Sequence, residues 1–430
     1  MKKVITYGTF DLFHFGHKRL LKRAKALGDY LIVGVTADDF DRARGKINVQ
    51  QSLMERMEMV KASGIADEVI VEEYEGQKID DILRYDVDIF TVGSDWVGSF
   101  DYLKEYCDVV YLERTDGVSS TEIRSDKREL RLGLIGNNDE LHALDKFERE
   151  CKFVNGVIAV RDGYNYEQLL DKVDAVYLIT HAREHYNQIK LALEKGKHVL
   201  CESPISMSVI EWTKLMELAN SKGLILMDAI RTAYATAYHR MLLLVKSGCI
   251  GQVVSVDASC SSLKDGELSI EQYQNVWNSI CAWGPNAMLP VFQILGTDYK
   301  LAQIQSRIDN EEAKYDSFTK ISFVYPSAVA SIKVGKGVKT EGELIISGTT
   351  GYVYVPAPWW KTEYFEIRRE DPSQNKRYFY QLDGEGIRYE IVSFIKAIQG
   401  GKRHEFIDGK VSNSIVKIIE DFYKGKIYNI

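Results

Sequence analysis

Cysteine, proline and long apolar runs are all scarce in this 430-residue chain. Its six cysteines, Cys107, Cys151, Cys201, Cys249, Cys260 and Cys281, are scattered and form no C-x-x-C pair. That spacing excludes a zinc cluster and a disulfide framework and fits buried thiols in a reducing compartment, so a cytoplasmic location is expected. No apolar run approaches the roughly 20 residues of a membrane span. The opening MKKVITYGTFDL is interrupted by Gly8 and Asp11, so it is no signal-peptide core. An excess of positive charge is also missing. With 55 Lys and Arg against 62 Asp and Glu, the formal charge is −7, which argues against a general nucleic-acid or anionic-membrane binder. Any phosphate ligand must therefore be held by a local basic pocket. Only 7 prolines and no low-complexity tract remove the usual signatures of disorder.

What is present is an ordinary globular composition, 45% hydrophobic and 27% charged, on a chain too long for one core. From Val4 onward, apolar strands alternate with helices: VITYG, a helix through His17 to Leu27, YLIVGV, a helix from Ser52 to Ser63, EVIV, a helix around Asp80 to Arg84, IFTVGS and VVYL. Strands separated by single amphipathic helices predict a parallel sheet covered on both faces. The charged stretch SDKRELR, Ser125 to Arg131, reads as a junction, after which the pattern restarts with LGLIG and continues to about Gly251. From Gln252 the texture becomes strand-rich, as in VVSVDAS, KISFVY, AVASIKV and GYVYV. The expected fold class is α/β: a Rossmann-like domain over residues 1–128, a second over 129–251, and an α+β domain with a large, mainly antiparallel sheet over 252–430.

The segment GTFDLFHFGH, Gly8 to His17, follows the first strand and opens the first helix. A helix start presents free N–H groups and positive dipole charge, which makes it a natural phosphate site. His14 and His17, three apart with Gly16 between, lie on one side of that turn, and the glycine lets a ligand approach the backbone. Two imidazoles aimed at one phosphate would stabilise charge developing on it. At the far end of the domain, RTDGVSSTEIR (Arg114 to Arg124) is a hydroxyl- and glycine-rich turn with a fixed cation, a second cradle for phosphate oxygens.

HFGH resembles the H-x-G-H signature of the nucleotidyltransferase superfamily, and RTDGVSST resembles the matching loop of cytidylyltransferases for glycerol, choline and ethanolamine phosphates. The segment GSDWVGSFDYL, from Gly93, is similar to the glycerol-phosphate type. The resemblance covers residues 1–125. It implies transfer of CMP from CTP, with Mg²⁺, to a small phosphorylated alcohol and release of pyrophosphate. It also implies catalytic roles for His14, His17, Lys46 and Arg114. Thr9, Phe10, Gly16, Arg56, Asp95, Thr115, Ser119, Ser120 and Thr121 would bind the nucleotide, and Asp11 and Trp96 the acceptor. No protein metal cluster is expected, since the cation would rely on substrate oxygens and water. Ribitol or other polyol phosphates remain open as acceptors, and surface-polymer synthesis is the context by analogy alone.

From about Leu130 onward, VDAVYLIT, LALEKGKHVLCESPIS, KSGCIGQVVSV and GELIISGTTGYVYV resemble the Gfo/Idh/MocA oxidoreductases, an NAD(P)-dependent family. The departures fall at the chemistry. Of the dinucleotide loop G-x-G-x-x-G only Gly136 remains; Asn138 replaces the second glycine, and Asp139 and Glu140 would repel a diphosphate. Ser203 stands where the family's E-K-P motif has its catalytic lysine. Ala282 and Asn286 stand where a D-x-x-x-H pattern is expected. Hydride transfer is therefore expected to be lost and NAD(P) binding to be poor. Two alternatives stay open: a bifunctional enzyme whose second half makes the acceptor by reduction, with His181 or His185 as a replacement base, or a ligand-binding or assembly module in a homodimer or larger homo-oligomer.

Overall fold

The computed structural model describes the chain apart from residues 44–48, 50, 75, 114–128, 137–140, 155, 162–165, 264–272, 274–275, 362, 381 and 401–405. It divides into two compact units, one built on Met1–Glu129 and the other on Leu130–Phe153 with Val157–Ile430.

The first unit holds five parallel strands, β1 (Lys3–Gly8), β2 (Tyr30–Thr36), β3 (Glu68–Glu72), β4 (Ile89–Gly93) and β5 (Asp108–Leu112), in the order β3-β2-β1-β4-β5. Helices α1 (Phe15–Lys25), α2 (Asp38–Ala43), α3 (Leu53–Ala62) and α4 (Gln77–Tyr85) connect them. Val4, Ile5, Leu31, Ile32, Val33 and Phe90 are fully buried, as central parallel strands covered on both faces require. Each such side chain contributes roughly 1.5–3 kcal/mol of burial. Because β1 sits centrally, the chain runs outward through β2 and β3 on one side and through β4 and β5 on the other. The boundary between β1 and β4 is thus the topological switch point, where ligands of open α/β sheets bind beyond the strand C-termini.

The second unit repeats this logic in β6 (Leu130–Gly136), β7 (Val157–Val160), β8 (Ala175–Ile179), β9 (His198–Glu202) and β10 (Leu226–Ala229), ordered β10-β9-β8-β6-β7 and all parallel. Its helices are α5 (Leu141–Cys151), α6 (Tyr166–Leu170), α7 (Ala182–Glu194), α8 (Val209–Ser221) and α9 (Thr236–Lys246). A Cβ on Gly136 would lie 2.8 Å from Ile179 and 2.9 Å from Leu144, so only glycine fits at that strand end. A nine-stranded sheet follows: β11 (Val253–Ser262), β12 (Leu301–Asn310), β13 (Tyr315–Val324), β14 (Val329–Lys336), β15 (Leu344–Gly348), β16 (Gly351–Val355), β17 (Tyr364–Arg368), β18 (Lys376–Phe379) and β19 (Tyr428–Asn429). It is antiparallel except where β11 meets β14 and β12 meets β19. Helix α10 (Ser279–Leu295) packs on β11, β13 and β14, and α11 (Ile387–Gly400) and α12 (Gly409–Tyr423) complete the unit.

Candidate active site

In the first unit β1 ends at Gly8 and α1 begins at Phe15, so residues 9–14 form the loop at the switch point. His14 is the N-cap of α1. Its Nδ1 accepts the Gly16 N–H at 3.0 Å, and the His17 Nδ1 accepts the His14 N–H at 3.4 Å. Each imidazole therefore satisfies a backbone donor that the helix start leaves open. With both Nδ1 atoms accepting, the proton of each neutral ring sits on Nε2, so each ring keeps one N–H to donate. The rings stack with centroids 3.9 Å apart, and Phe10 and Phe13 pack on His17 at 5.4 and 5.7 Å. Burial lowers the His14 pKa. That favours a neutral His14 ring, which avoids setting two cations against each other at this spacing.

The loop is held under strain. Phe10 and Leu12 have φ of +54° and +49°, a left-handed conformation costing on the order of 1 kcal/mol or more for each non-glycine residue. Gln51 restrains it from both sides: its side chain accepts the Leu12 N–H at 2.7 Å, and its own N–H donates to Asp11 Oδ1 at 3.0 Å. Arg56, fully buried on α3, donates from Nη1 to the carbonyls of Thr9 (2.6 Å) and Thr36 (2.8 Å) and from Nε to that of Gln51 (3.1 Å), and it pairs with Asp38 and Asp41. The resemblance put Arg56 among the nucleotide-binding groups; the structure places its guanidinium inside the unit, tying β1, β2 and the loop together. Asp11, expected beside the acceptor, is likewise buried and bonded to the Gln51 backbone. The Thr9 hydroxyl donates to Asp41 Oδ1 at 2.7 Å.

Beyond β4, Asp95 is exposed on a short turn, Ser94–Trp96, and the half-buried Trp96 lies 5.9 Å from Phe100. Since β1 and β4 are parallel neighbours, this turn emerges beside the histidine loop. Lys46, Arg114, Thr115, Ser119, Ser120 and Thr121 lie outside the described residues.

Sequence reasoning missed Gln51 and Asp41, and with them a buried polar array at the ends of β1–β3. There the Tyr7 hydroxyl donates to Asp81 at 2.9 Å, the Thr36 hydroxyl to Glu72 at 2.8 Å, and Lys78 pairs with Glu72 while lying 4.9 Å from the Tyr7 ring centroid. Burial raises the pKa of both Tyr7 and Asp81.

In the second unit, Ser203, Ala282 and Asn286 converge on one cavity of about 350 Å³ at the C-terminal ends of β8, β9 and β10. Trp277, Trp283 and Trp360 form much of its wall. Asn286 Oδ1 accepts from the Thr232 hydroxyl at 3.1 Å, which leaves its NH₂ as a donor. Beside them Glu202 accepts from Tyr177 at 2.5 Å and pairs with Arg231 at 3.2 Å. His185 is fully buried with its ring nitrogens facing the carbonyl oxygens of Pro204 at 2.8 Å and Thr180 at 2.9 Å, and burial lowers its pKa. His181 caps α7, and burial, helped by the Arg183 charge, pushes its pKa down to about 4.

Comparison with known proteins falls on both units. Residues 5–126 match the family model described as cytidylyltransferase-like. The glycerol-3-phosphate cytidylyltransferase of Bacillus spizizenii is 53% identical over 130 residues, which is 30% of this chain and 100% of that protein. The chain belongs to the cytidylyltransferases. The Staphylococcus aureus glycerol-3-phosphate cytidylyltransferase is 47% identical over 126 residues, 29% of this chain and 95% of that one. The cytidylyltransferase unit is thus a nucleotidyltransferase, joined to a second fold. Residues 139–229 match the model described as oxidoreductase family, NAD-binding Rossmann fold. A 3-ketoreductase from Actinomadura kijaniata, solved with NADP and TDP-benzene, superposes with a TM-score of 0.58 at 20% identity, over 70% of this chain and 99% of that one, which establishes the oxidoreductase-like fold of the second unit.

Proposed function

We propose that the first unit transfers CMP from CTP to a small phosphorylated alcohol, glycerol 3-phosphate foremost, and releases pyrophosphate. The observation that carries this reading is the reciprocally capped His14–His17 pair at the switch point, in a segment that is 53% identical to a glycerol-3-phosphate cytidylyltransferase. An oxygen of the acceptor phosphate attacks the α-phosphorus of CTP, a P–O bond forms, and the bond to the β-phosphate oxygen breaks in line. The acceptor is already ionised, so the protein needs no general base. It must stabilise charge on the phosphoryl oxygens, and the two Nε2–H groups with the N-terminus of α1 are suited to that. Among the described residues no cluster of three or more His, Cys, Asp or Glu side chains is placed to hold an ion, and Mg²⁺ is read as entering with the triphosphate. A panel of nucleotides and acceptors, assayed by pyrophosphate release, tests the reading; equal turnover with ATP would remove the cytidylyl assignment.

For the second unit we infer that hydride transfer has been lost. At the positions where the family's catalytic lysine and D-x-x-x-H pair are expected, Ser203, Ala282 and Asn286 meet in one cavity and none of them is a titratable acid or a cation; the lysines and carboxylates that line the same cavity, Lys336, Lys361, Glu202 and Glu385, stand elsewhere in the fold. General acid–base groups typically contribute about 10²–10⁴ each, so the deficit is large. Asn138, with the rest of the loop after Gly136, lies outside the described residues. Wild-type protein should show no NAD(P)-linked oxidation of polyols or sugars, and robust turnover would establish the bifunctional reading.

A further inference from the structure

The loop that carries the histidine pair is shaped by a residue outside it. Phe10 and Leu12, between β1 and α1, have φ of +54° and +49°. Side chains rarely adopt that conformation, so it persists where surrounding bonds over-determine the backbone. Gln51 supplies such bonds at the Leu12 end. It immediately precedes Ser52, the N-cap of α3, whose capping box with Glu55 fixes where that helix begins. From this anchored position its side-chain oxygen accepts the Leu12 N–H at 2.7 Å, its own N–H donates to Asp11 Oδ1 at 3.0 Å, and its carbonyl accepts from Arg56 Nε at 3.1 Å. The last two bonds use the backbone and are open to almost any residue. The bond to Leu12 needs the glutamine side chain.

What Leu12 does is felt two peptides further on, where the His14 N–H is accepted by His17 Nδ1 at 3.4 Å. The other capping contact, from the Gly16 N–H to His14 Nδ1 at 3.0 Å, lies within the first turn of α1 and travels with the helix. The His14 N–H does not. His14 is the N-cap, extended at φ −118° and ψ 179°, so its N–H points where the preceding loop sends it. At 3.4 Å the contact is long, and a small rotation ahead of it is enough to break it. Without that donor the contact no longer selects the tautomer of His17, and a neutral ring protonated on Nδ1 turns a lone pair from Nε2, in place of an N–H, towards a phosphate oxygen.

We propose that Gln51 is a positioning residue for cytidylyl transfer: by accepting the Leu12 N–H it holds the loop in the conformation that presents the His14 N–H to His17 Nδ1, and so sets the Nε2–H form of His17. The proposal rests on the reading of the histidine pair as phosphate-facing donors, and Gln51 acts through His17.

Kinetics and histidine ¹⁵N NMR on the full chain test it, with Gln51→Met, which keeps the length and loses the acceptor, and Gln51→Glu, which keeps the acceptor and adds a charge. Since a misplacement on the order of 1 Å can cost about 10²-fold, Gln51→Met should lower kcat for pyrophosphate release about tenfold to a hundredfold. Gln51→Glu should recover kcat, its added charge appearing as a raised KM for CTP. In a Gln51→Met, His17→Ala double variant, kcat should stay within about twofold of His17→Ala alone, because no ring is left to position, whereas a merely structural role would multiply the two losses. The chain has 8 histidines, and His17 is assigned by its absence from the His17→Ala spectrum. Wild type and Gln51→Glu should show His17 protonated on Nε2, and Gln51→Met a mixture of tautomers. The spectrum needs no turnover, so failure of the cytidylyl reading would appear as wild-type protein that releases no pyrophosphate, and failure of the positioning claim as a His17 tautomer indifferent to Gln51→Met. Wild-type kcat in Gln51→Met, Gln51→Glu as slow as Gln51→Met, or multiplied losses in the double variant would equally overturn the proposal.

Discussion

Replacing Arg56 by methionine separates two roles that the sequence alone leaves confounded. The guanidinium is fully buried and donates to three backbone carbonyls, of Thr9, Thr36 and Gln51, while pairing with two carboxylates. Methionine fills much of the volume but makes none of these bonds. Breaking a buried charge pair by removing one partner costs roughly 3–5 kcal/mol, and each stranded carbonyl adds to the strain on the loop. For a unit of this size that corresponds to a fall on the order of 10–20 °C in the melting of the cytidylyltransferase unit. The assay is thermal inactivation of pyrophosphate release in the full chain, set beside the KM for CTP well below the melting range. A raised KM for CTP with unchanged thermal stability would refute the reasoning and return Arg56 to the phosphate-binding groups.

Other substitutions give sharp expectations. His17→Ala and His14→Ala should each lower kcat by about 10²–10³, the usual effect of removing one preorganised donor, as read by steady-state pyrophosphate release. His14→Asn should keep the N-cap, melting within about 1 kcal/mol of wild type, yet lose turnover like the alanine variant. Ser203→Lys alone should create no NAD(P)-linked activity, because Ala282 and Asn286 still supply no acid; an appreciable rate by nicotinamide absorbance would show the site to be one residue from function. For pH, His181 near 4 lies below its ordinary 6.5, so it contributes stability above pH 6.5 that is lost as pH falls towards 4. His181→Asn should flatten that acid limb in urea titrations. Burial raises Asp316 from 3.8 to about 7, the opposite sign: stability present below pH 4 is lost as pH rises through 7, and Asp316→Asn should be favoured more at pH 8 than at pH 5.

The parallel sheets were legible because their strands are near-continuous apolar runs such as VITYG and YLIVGV, and burial on both faces leaves no other use for them. His14 and His17 were legible because a motif within one helical turn keeps its geometry wherever the helix packs. Ser203, Ala282 and Asn286, distant in sequence, do share one cavity, because strand ends and α10 meet there. The burial of Arg56 was not legible: its carbonyl partners, Thr9, Thr36 and Gln51, come from other segments, and nothing local marks it as buried. Helix α2 escaped notice because DDFDRA has no apolar stripe, and with it went Asp41, the partner of Thr9 and Arg56. Lys78 and Asp81 look like a solvated helix face in sequence, yet both are buried against Tyr7 and Glu72. The parallel pairing of β11 with β14 inside a mainly antiparallel sheet is set by chain crossing, which strand composition does not record.

The most direct test of the central claim is a phosphorus NMR spectrum of the full chain incubated with CTP, glycerol 3-phosphate and Mg²⁺. The account predicts loss of the three CTP resonances and of the phosphomonoester together, with a new diphosphate diester and free pyrophosphate appearing in equal amounts. Consumption of CTP to CDP and phosphate while glycerol 3-phosphate persists, or no reaction with any phosphorylated alcohol, would contradict it.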